Sequence, residues 1–206
     1  MEKIRTLLAD DHVVVRRGLR SLLSMEDDIE VVGEAADGQA AVEEARRTDP
    51  DVVIMDVVMP RMDGIAATAA LHREFPRAKI LLLTTFSNSA DISAALAAGA
   101  CGALLKSSDD DEIVRAIRLV HSGEHYVSPA VGQLLEVDPP PPELTQKQLE
   151  ILDAVTRGLT NTDISRQFGI AEITVKNHLK VIFTKLGAAN RAEASALALR
   201  KQLLRV

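Results

Sequence analysis

Six side chains in this sequence could act on a charged ligand, and each follows directly on a short apolar run. Asp10 and Asp11 follow Ile4–Ala9, Asp56 follows Val52–Met55, Thr84 and Thr85 follow Ile80–Leu83, and Lys106 follows Ala103–Leu105. Asp56 is the most telling, because "DVVIMDVVMPRMDG" sets one acid inside an apolar stretch. An ionised carboxylate buried there would cost several kcal/mol unless paired or metal-bound. It is accounted for if Asp56 closes a strand and faces a polar pocket. Three clustered carboxylates repel one another unless a cation intervenes, and hard oxygen ligands select Mg²⁺ or a similar ion. A carboxylate held in such a cluster can attack phosphorus. The transferred group then needs positive charge and hydrogen-bond donors around its oxygens. Lys106 supplies the charge and Thr84 a hydroxyl. Either Asp10 or Asp11 alone reads as a helix-capping acid; the set at successive strand ends reads as a site.

The elements that must position these residues are legible in residues 1 to about 122. Short apolar runs, with a further one at Ile29–Val32, alternate with segments of helical spacing such as Val15, Leu19, Leu22, Leu23 and Ala41, Val42, Ala45. Strands alternating with helices imply a parallel sheet covered on both faces, which is why the runs are continuously apolar. The expectation is an α/β, flavodoxin-like domain of five parallel strands and five helices. Ligands in such folds bind at the carboxyl ends of the strands.

"LLADDHVVVRRGL", "DVVIMDVVMPRMDG", "ILLLTTF" and "GACGALLK" resemble the receiver domain of bacterial two-component response regulators, over residues 3 to about 122. The resemblance implies a CheY-like fold in which Asp56 is the phosphoacceptor for a sensor histidine kinase. It implies that Asp10, Asp11, Asp56 and the backbone carbonyl of Val58 hold Mg²⁺. It further implies that Thr84 is the switch hydroxyl and Lys106 the phosphoryl-binding lysine. One departure is Ala103, where the family usually carries an aromatic ring. His12 reads as a neighbour of the site rather than a ligand.

Charge divides the chain. Residues 1–143 hold 14 Lys+Arg and 25 Asp+Glu, a net of −11; residues 144–206 hold 10 and 5, a net of +5, and the two recover the overall −6. A basic module hidden in an acidic chain points to a polyanionic partner. Between the halves, the prolines Pro139 to Pro142 favour a stiff, extended spacer. The basic half reads as four helices, all-α. Thr145 caps the first, Thr160 or Asn161 the second; Gly169 turns the chain, and a third helix begins near Glu172. The last starts near Arg191. A short helix, a glycine-containing turn and a second helix form a helix-turn-helix. Off the apolar stripe of the third helix lie Thr174, Lys176, Asn177, Lys180 and Thr184, with Lys185 following. Lysine can bond guanine, and asparagine adenine, in the major groove. Only Phe168 and Phe183 are aromatic here, which favours duplex over stacked single strands.

"LTNTDIS" and "TVKNHLKVIFTKLG" resemble the LuxR-type helix-turn-helix of NarL/FixJ regulators, over residues 144 to 204. That resemblance implies that Lys176, Asn177 and Lys180 face bases and that Thr174 and Lys185 contact phosphates. The expectation is therefore a receiver (1–122), a linker with a proline-rich segment (123–143) and a DNA-binding domain (144–206). Phosphorylation of Asp56 would then favour homodimers on paired half-sites of double-stranded DNA. One cysteine, Cys101, excludes a disulfide framework or thiol metal cluster. No apolar run reaches the roughly 18 residues of a membrane span. The N-terminus lacks a signal-peptide pattern, so a cytoplasmic, non-enzymatic protein without membrane contact is expected. No Gly-Lys pair exists for a P-loop. Two alternatives stand beside this reading. One is a Mg²⁺-dependent aspartyl-phosphate phosphohydrolase, which typically needs Asp-x-Asp after its first strand. The other is a receiver that signals by protein contact.

Overall fold

The computed structural model describes residues 3–85, 89–137, 144–201 and 203–204. The chain divides into two compact units, Met1–Pro139 and Pro140–Val206. The proline run at 139–142 lies outside the described residues. Among those described, no helix is long and apolar enough to cross a membrane.

The first unit alternates strands and helices: β1 (Ile4–Ala9), α1 (Val13–Leu23), β2 (Ile29–Ala35), α2 (Gly38–Thr48), β3 (Val52–Met55), α3 (Gly64–Glu74), β4 (Lys79–Thr84), α4 (Ser89–Ala97), β5 (Gly102–Leu105), α5 (Asp110–His121), β6 (Tyr126–Val127) and α6 (Pro129–Val137). The strands form one parallel sheet in the order β2-β1-β3-β4-β5-β6. Alternation along each strand sends side chains to two separate cores. Leu7, Ala9, Val53, Met55, Ile80, Leu82, Ala103 and Leu105 face the core that includes Ala41 and Val42 of α2, Leu71 of α3, Ile92 of α4 and Val131 of α6. Leu8, Val52, Ile54, Leu81, Leu83 and Leu104 face the core closed by Leu19, Leu22 and Leu23 of α1 and Ile113, Ile117 and Val120 of α5.

The sheet has six strands where the sequence predicts five. Tyr126 pairs with Gly102, and Val127 with Ala103. Tyr126 N–H donates to the Cys101 carbonyl at 3.1 Å, and Ser128 N–H to the Ala103 carbonyl at 2.9 Å. Two residues are too few to show a period-2 pattern, so this strand leaves no periodic trace in the sequence. Both β6 and α6 fall in the stretch read from sequence as linker, 123–143. The Tyr126 hydroxyl donates to Glu112 of α5 at 2.8 Å and accepts from Arg115 at 2.9 Å, which ties the added strand to α5.

The second unit is helical: α7 (Gln146–Thr156), α8 (Asn161–Phe168), α9 (Glu172–Leu186) and α10 (Arg191–Arg200). Thr145 caps α7, and Gln148 returns a bond to the cap backbone; Thr160 and Asp163 do the same for α8. Gly169 and Gly187 end α8 and α9 at φ 63° and 69°, a left-handed conformation that glycine adopts without steric cost. The helices enclose Ile151, Leu152, Val155, Ile164, Val175, Leu179, Ile182, Ala194 and Ala198.

Ala103 is fully buried in the core that α6 helps to close. Enlarging it overpacks that core. Ala103→Tyr is expected to lower the stability of the first unit by about 1–3 kcal/mol. Urea titration of both proteins checks this, and an unchanged or raised midpoint for the first unit would show that room for a ring exists there.

Candidate functional sites

Asp10 and Asp56 become neighbours through strand register. Ala9 pairs with Met55, so the residue after each emerges from the same edge of the sheet, and Asp56 N–H donates to the Ala9 carbonyl at 2.8 Å. The chain leaves β1 toward β2 on one side and later returns to β3 on the other. The two acids thus stand at the reversal of strand order, where open α/β sheets form their crevice. Thr84 pairs with Leu105, and the Lys106 backbone N–H donates to the Thr84 carbonyl at 2.6 Å. That places Lys106 on the same rim.

The Lys106 ammonium lies 2.6 Å from Asp10 Oδ2 and 2.6 Å from Asp56 Oδ2. Asp10, Asp56 and Thr84 are buried, and the Lys106 side chain is 11% exposed. Burial pushes the Asp56 carboxyl above the usual carboxylate range; the Lys106 hydrogen bond and charge pull against that shift, while the Asp10 charge adds to it. For Lys106, burial works to lower the pKa, but hydrogen bonds and charges from Asp10 and Asp56 together outweigh it and hold the ammonium above its ordinary value. Its contribution to stability is thus complete below the unfolded value, 10.5, and is lost as pH rises through the higher folded value.

Asp11 and His12 complete the rim. Carboxylate oxygens of Asp10, Asp11 and Asp56 and a ring nitrogen of His12 lie within 4.8 Å of one another. His12 Nδ1 is 2.6 Å from Asp11 Oδ1, and His12 N–H donates to Asp10 Oδ1 at 2.8 Å. Val58 sits two residues past Asp56 with its side chain largely exposed. The loop after β3 is anchored from several sides. Gly64 N–H donates to the Val57 carbonyl at 2.9 Å, and Gly38 N–H to the Met62 carbonyl at 3.0 Å. A Cβ on Gly64 would collide with the Asp56 backbone oxygen. Arg61, at φ 64°, forms an ion pair with the buried Asp37. Sequence reasoning missed Arg61, Asp37 and Arg16, whose guanidinium donates to the Asp10 carbonyl at 2.6 Å. These contacts join residues with no shared pattern, so no local signal marks them.

The second unit carries the other candidate face. Val175, Leu179 and Ile182 of α9 are buried, while Lys176, Asn177, Lys180 and Thr184 are exposed and Thr174 is half-buried. Lys185 is half-buried, and its ammonium donates to Gln148 Oε1 at 3.3 Å. The sequence reading passed over Ile173 and Val181, which are exposed on this helix.

Residues 6–118 match the response regulator receiver domain family, and residues 142–198 match the bacterial regulatory proteins of the luxR family. The transcriptional regulatory protein LiaR of Bacillus subtilis is 41% identical over 98% of this chain and 99% of its own length. The chain belongs to the LuxR-type response regulators. The response regulator protein VraR of Staphylococcus aureus is 34% identical over 98% of this chain and 99% of its own. Among solved structures, the RcsB response regulator in complex with DNA aligns with a TM-score of 0.71 at 28% identity, over 97% of this chain and 99% of that one. The heme-sensing system's regulator ChrA aligns at 0.60 with 39% identity, over 99% and 100%. A LuxR-type response regulator pairs a receiver with a DNA-binding output domain and regulates transcription.

The lysine bridge makes a testable demand. Lys106→Ala leaves two buried carboxylates facing each other, at an expected cost of about 3–5 kcal/mol near pH 7. Asp56, which burial already pushes above the usual carboxylate range, then loses the cation that opposed that shift, so this deficit shrinks as pH falls through its raised folded value. Denaturant titrations from pH 7 to 4.5 check the sign. A deficit that grows toward acid would contradict the charge assignment.

Proposed function

We propose that this response regulator is switched by phosphorylation of Asp56 and acts by binding duplex DNA through α9. The observation that carries the reading is the Lys106 ammonium set between Asp10 and Asp56, 2.6 Å from each. It pairs a buried carboxylate nucleophile with a cation able to meet the oxygens of the arriving group. In the transfer, a carboxylate oxygen of Asp56 attacks the phosphorus of a phosphohistidine on a sensor kinase. The P–N bond breaks as the P–O bond forms, and the released imidazole nitrogen keeps the electron pair and takes up a proton. Lys106 offers its ammonium to the phosphoryl oxygens in place of the carboxylate oxygen it holds beforehand. Thr84, at the end of the adjacent strand, offers its hydroxyl as a further donor and acts as the switch.

The donor set suits Mg²⁺: carboxylates converge within 4.8 Å, and hard oxygen ligands are what that ion prefers. Asp10, Asp11, Asp56 and the Val58 backbone carbonyl would hold it. The ion would supply positive charge that offsets the acids and the incoming phosphoryl oxygens. His12, with a nitrogen donor, stays a neighbour that orients Asp11.

In the second unit, Lys176, Asn177 and Lys180 present two cations and an amide on one exposed face, suited to base edges in the major groove. Thr174 and Lys185 flank that face and suit phosphates. One helix reads few base pairs, so two copies on half-sites about one helical turn apart multiply specificity. A homodimer on DNA, in the cytoplasm where kinase and promoter are both accessible, completes the reading.

With Mg²⁺ and a small phosphodonor, the protein should gain one acid-stable, base-labile phosphoryl group, absent in Asp56→Asn. Intact-mass measurement reads it directly, and labelling that persists in the variant would place the nucleophile elsewhere. For the output unit, duplex affinity should fall steeply with salt. Asn177→Ala should relax preference at about one base pair per half-site, by roughly 1–3 kcal/mol, while Lys185→Ala weakens all sequences alike. A preference profile unchanged by Asn177→Ala would remove that side chain from base recognition.

A further inference from the structure

The exposed face of α9 is not wholly polar. Ile173 is 63% exposed and Val181 43% exposed, while Val175, Leu179 and Ile182 of the same helix are buried in the core. At 3.6 residues per turn, Ile173, Asn177, Lys180 and Thr184 fall within about 60° of one another, on the side opposite that core. Val181 borders this line on one flank and Lys176 on the other. Ile173 is the second residue of the helix. A β-branched residue there is a middling helix former, and with its side chain largely in water it adds little to packing within the unit. A single exposed aliphatic residue is ordinary on a protein surface. Two of them, interleaved with Lys176, Asn177 and Lys180 on one face, are a surface of mixed chemistry. It calls for a partner that offers negative charge, hydrogen-bonding edges and apolar groups side by side.

The major groove is such a partner. Its phosphates line both rims, its floor presents donors and acceptors, and each thymine adds a C5-methyl group that aliphatic side chains can cover. The N-terminal residues of a recognition helix are those that reach base edges, and Ile173 holds that position. We propose that Ile173 and Val181 are specificity-determining residues that pack against thymine methyl groups. This rests on the reading of α9 as the duplex-facing helix. The two residues are separated by about 12 Å along the helix, at 1.5 Å per residue. At 3.4 Å per base step they meet thymines about three to four base pairs apart. The base pairs addressed by Asn177 and Lys180 lie between them. The polar residues then read hydrogen-bonding edges, and the aliphatic pair separates thymine from cytosine by its methyl group.

The test uses the full chain with Mg²⁺ and a small phosphodonor. Duplexes are selected from a random-sequence pool, and the affinity for the selected duplex is remeasured with each thymine replaced in turn by deoxyuridine. That replacement deletes the methyl group and leaves every hydrogen-bonding group in place. The expected result is a loss of about fourfold at each of two thymines per half-site, the worth of one buried methyl-sized group. Ile173→Ala should abolish the sensitivity at one of these positions and Val181→Ala at the other. The wild-type measurement needs no variant to fold, and circular dichroism confirms helix content in the two that are made. If a duplex is selected but no deoxyuridine replacement weakens binding, or the sensitivity survives in both variants, this inference is overturned while the duplex-facing role of α9 stands. If no duplex is enriched at all, both are overturned.

Discussion

Two buried carboxylates on neighbouring strands can remain close only if something positive lies between them, and in this protein that is Lys106. The constraint reaches well beyond the site. It requires β4 and β5 to run two residues past the ends of β1 and β3, because Ala9 pairs with Met55, Met55 with Leu82 and Leu82 with Ala103, while Thr84 and Leu105 pair beyond that level. It requires β3 and β5 to be apolar along their whole length and β1 to be apolar from Leu7 to Ala9, so that the buried Asp10 and Asp56 stand at the rim rather than in the core. It also makes the charge distribution there sensitive to anything that alters Asp56. A phosphoryl group on that carboxylate adds negative charge and draws on the same ammonium, so Asp10, Lys106 and the loops around them must readjust.

Much of this was legible in the sequence, for physical reasons. Both-face burial leaves continuous apolar runs, and four of the five are followed by a residue of the candidate site; β3 begins and ends where its run does. The caps of the output helices were legible too, because Thr145, Thr160 and Gly169 satisfy local needs with local residues. What stayed hidden depends on contacts between distant segments. β6 is held by two residues pairing with β5 and by a hydroxyl reaching α5, none of which generates periodicity. The Arg61–Asp37 pair bridges the loop after β3 and the start of α2, and only the folded sheet brings those together. Ile173 and Val181 went unremarked because an exposed aliphatic residue on a helix shows its meaning only once the buried face is known.

Ala103 shows how a local departure is absorbed. Its methyl group lies in a core shared with Val131 of α6, and its carbonyl accepts the Ser128 N–H at the end of β6. The position is thus joined to the segment that follows α5. Leu82 of β4 pairs with Ala103 and shares its core with Val131, so β4 is joined to that segment through the sheet and the core without a swinging ring. A ligand shifts a conformational equilibrium only by its differential free energy between the two states. A tenfold change in output corresponds to about 1.4 kcal/mol, well within what rearranging one buried charge can supply.

The central claim is that the charge state of Asp56 governs duplex binding by the output unit. It is tested most directly by the affinity of the full chain for a selected duplex, with and without a small phosphodonor, in wild type and in Asp56→Asn. The account predicts tighter binding by the treated wild-type protein and no response in the variant. Equal affinity in all four samples, or a gain that survives in Asp56→Asn, would contradict it.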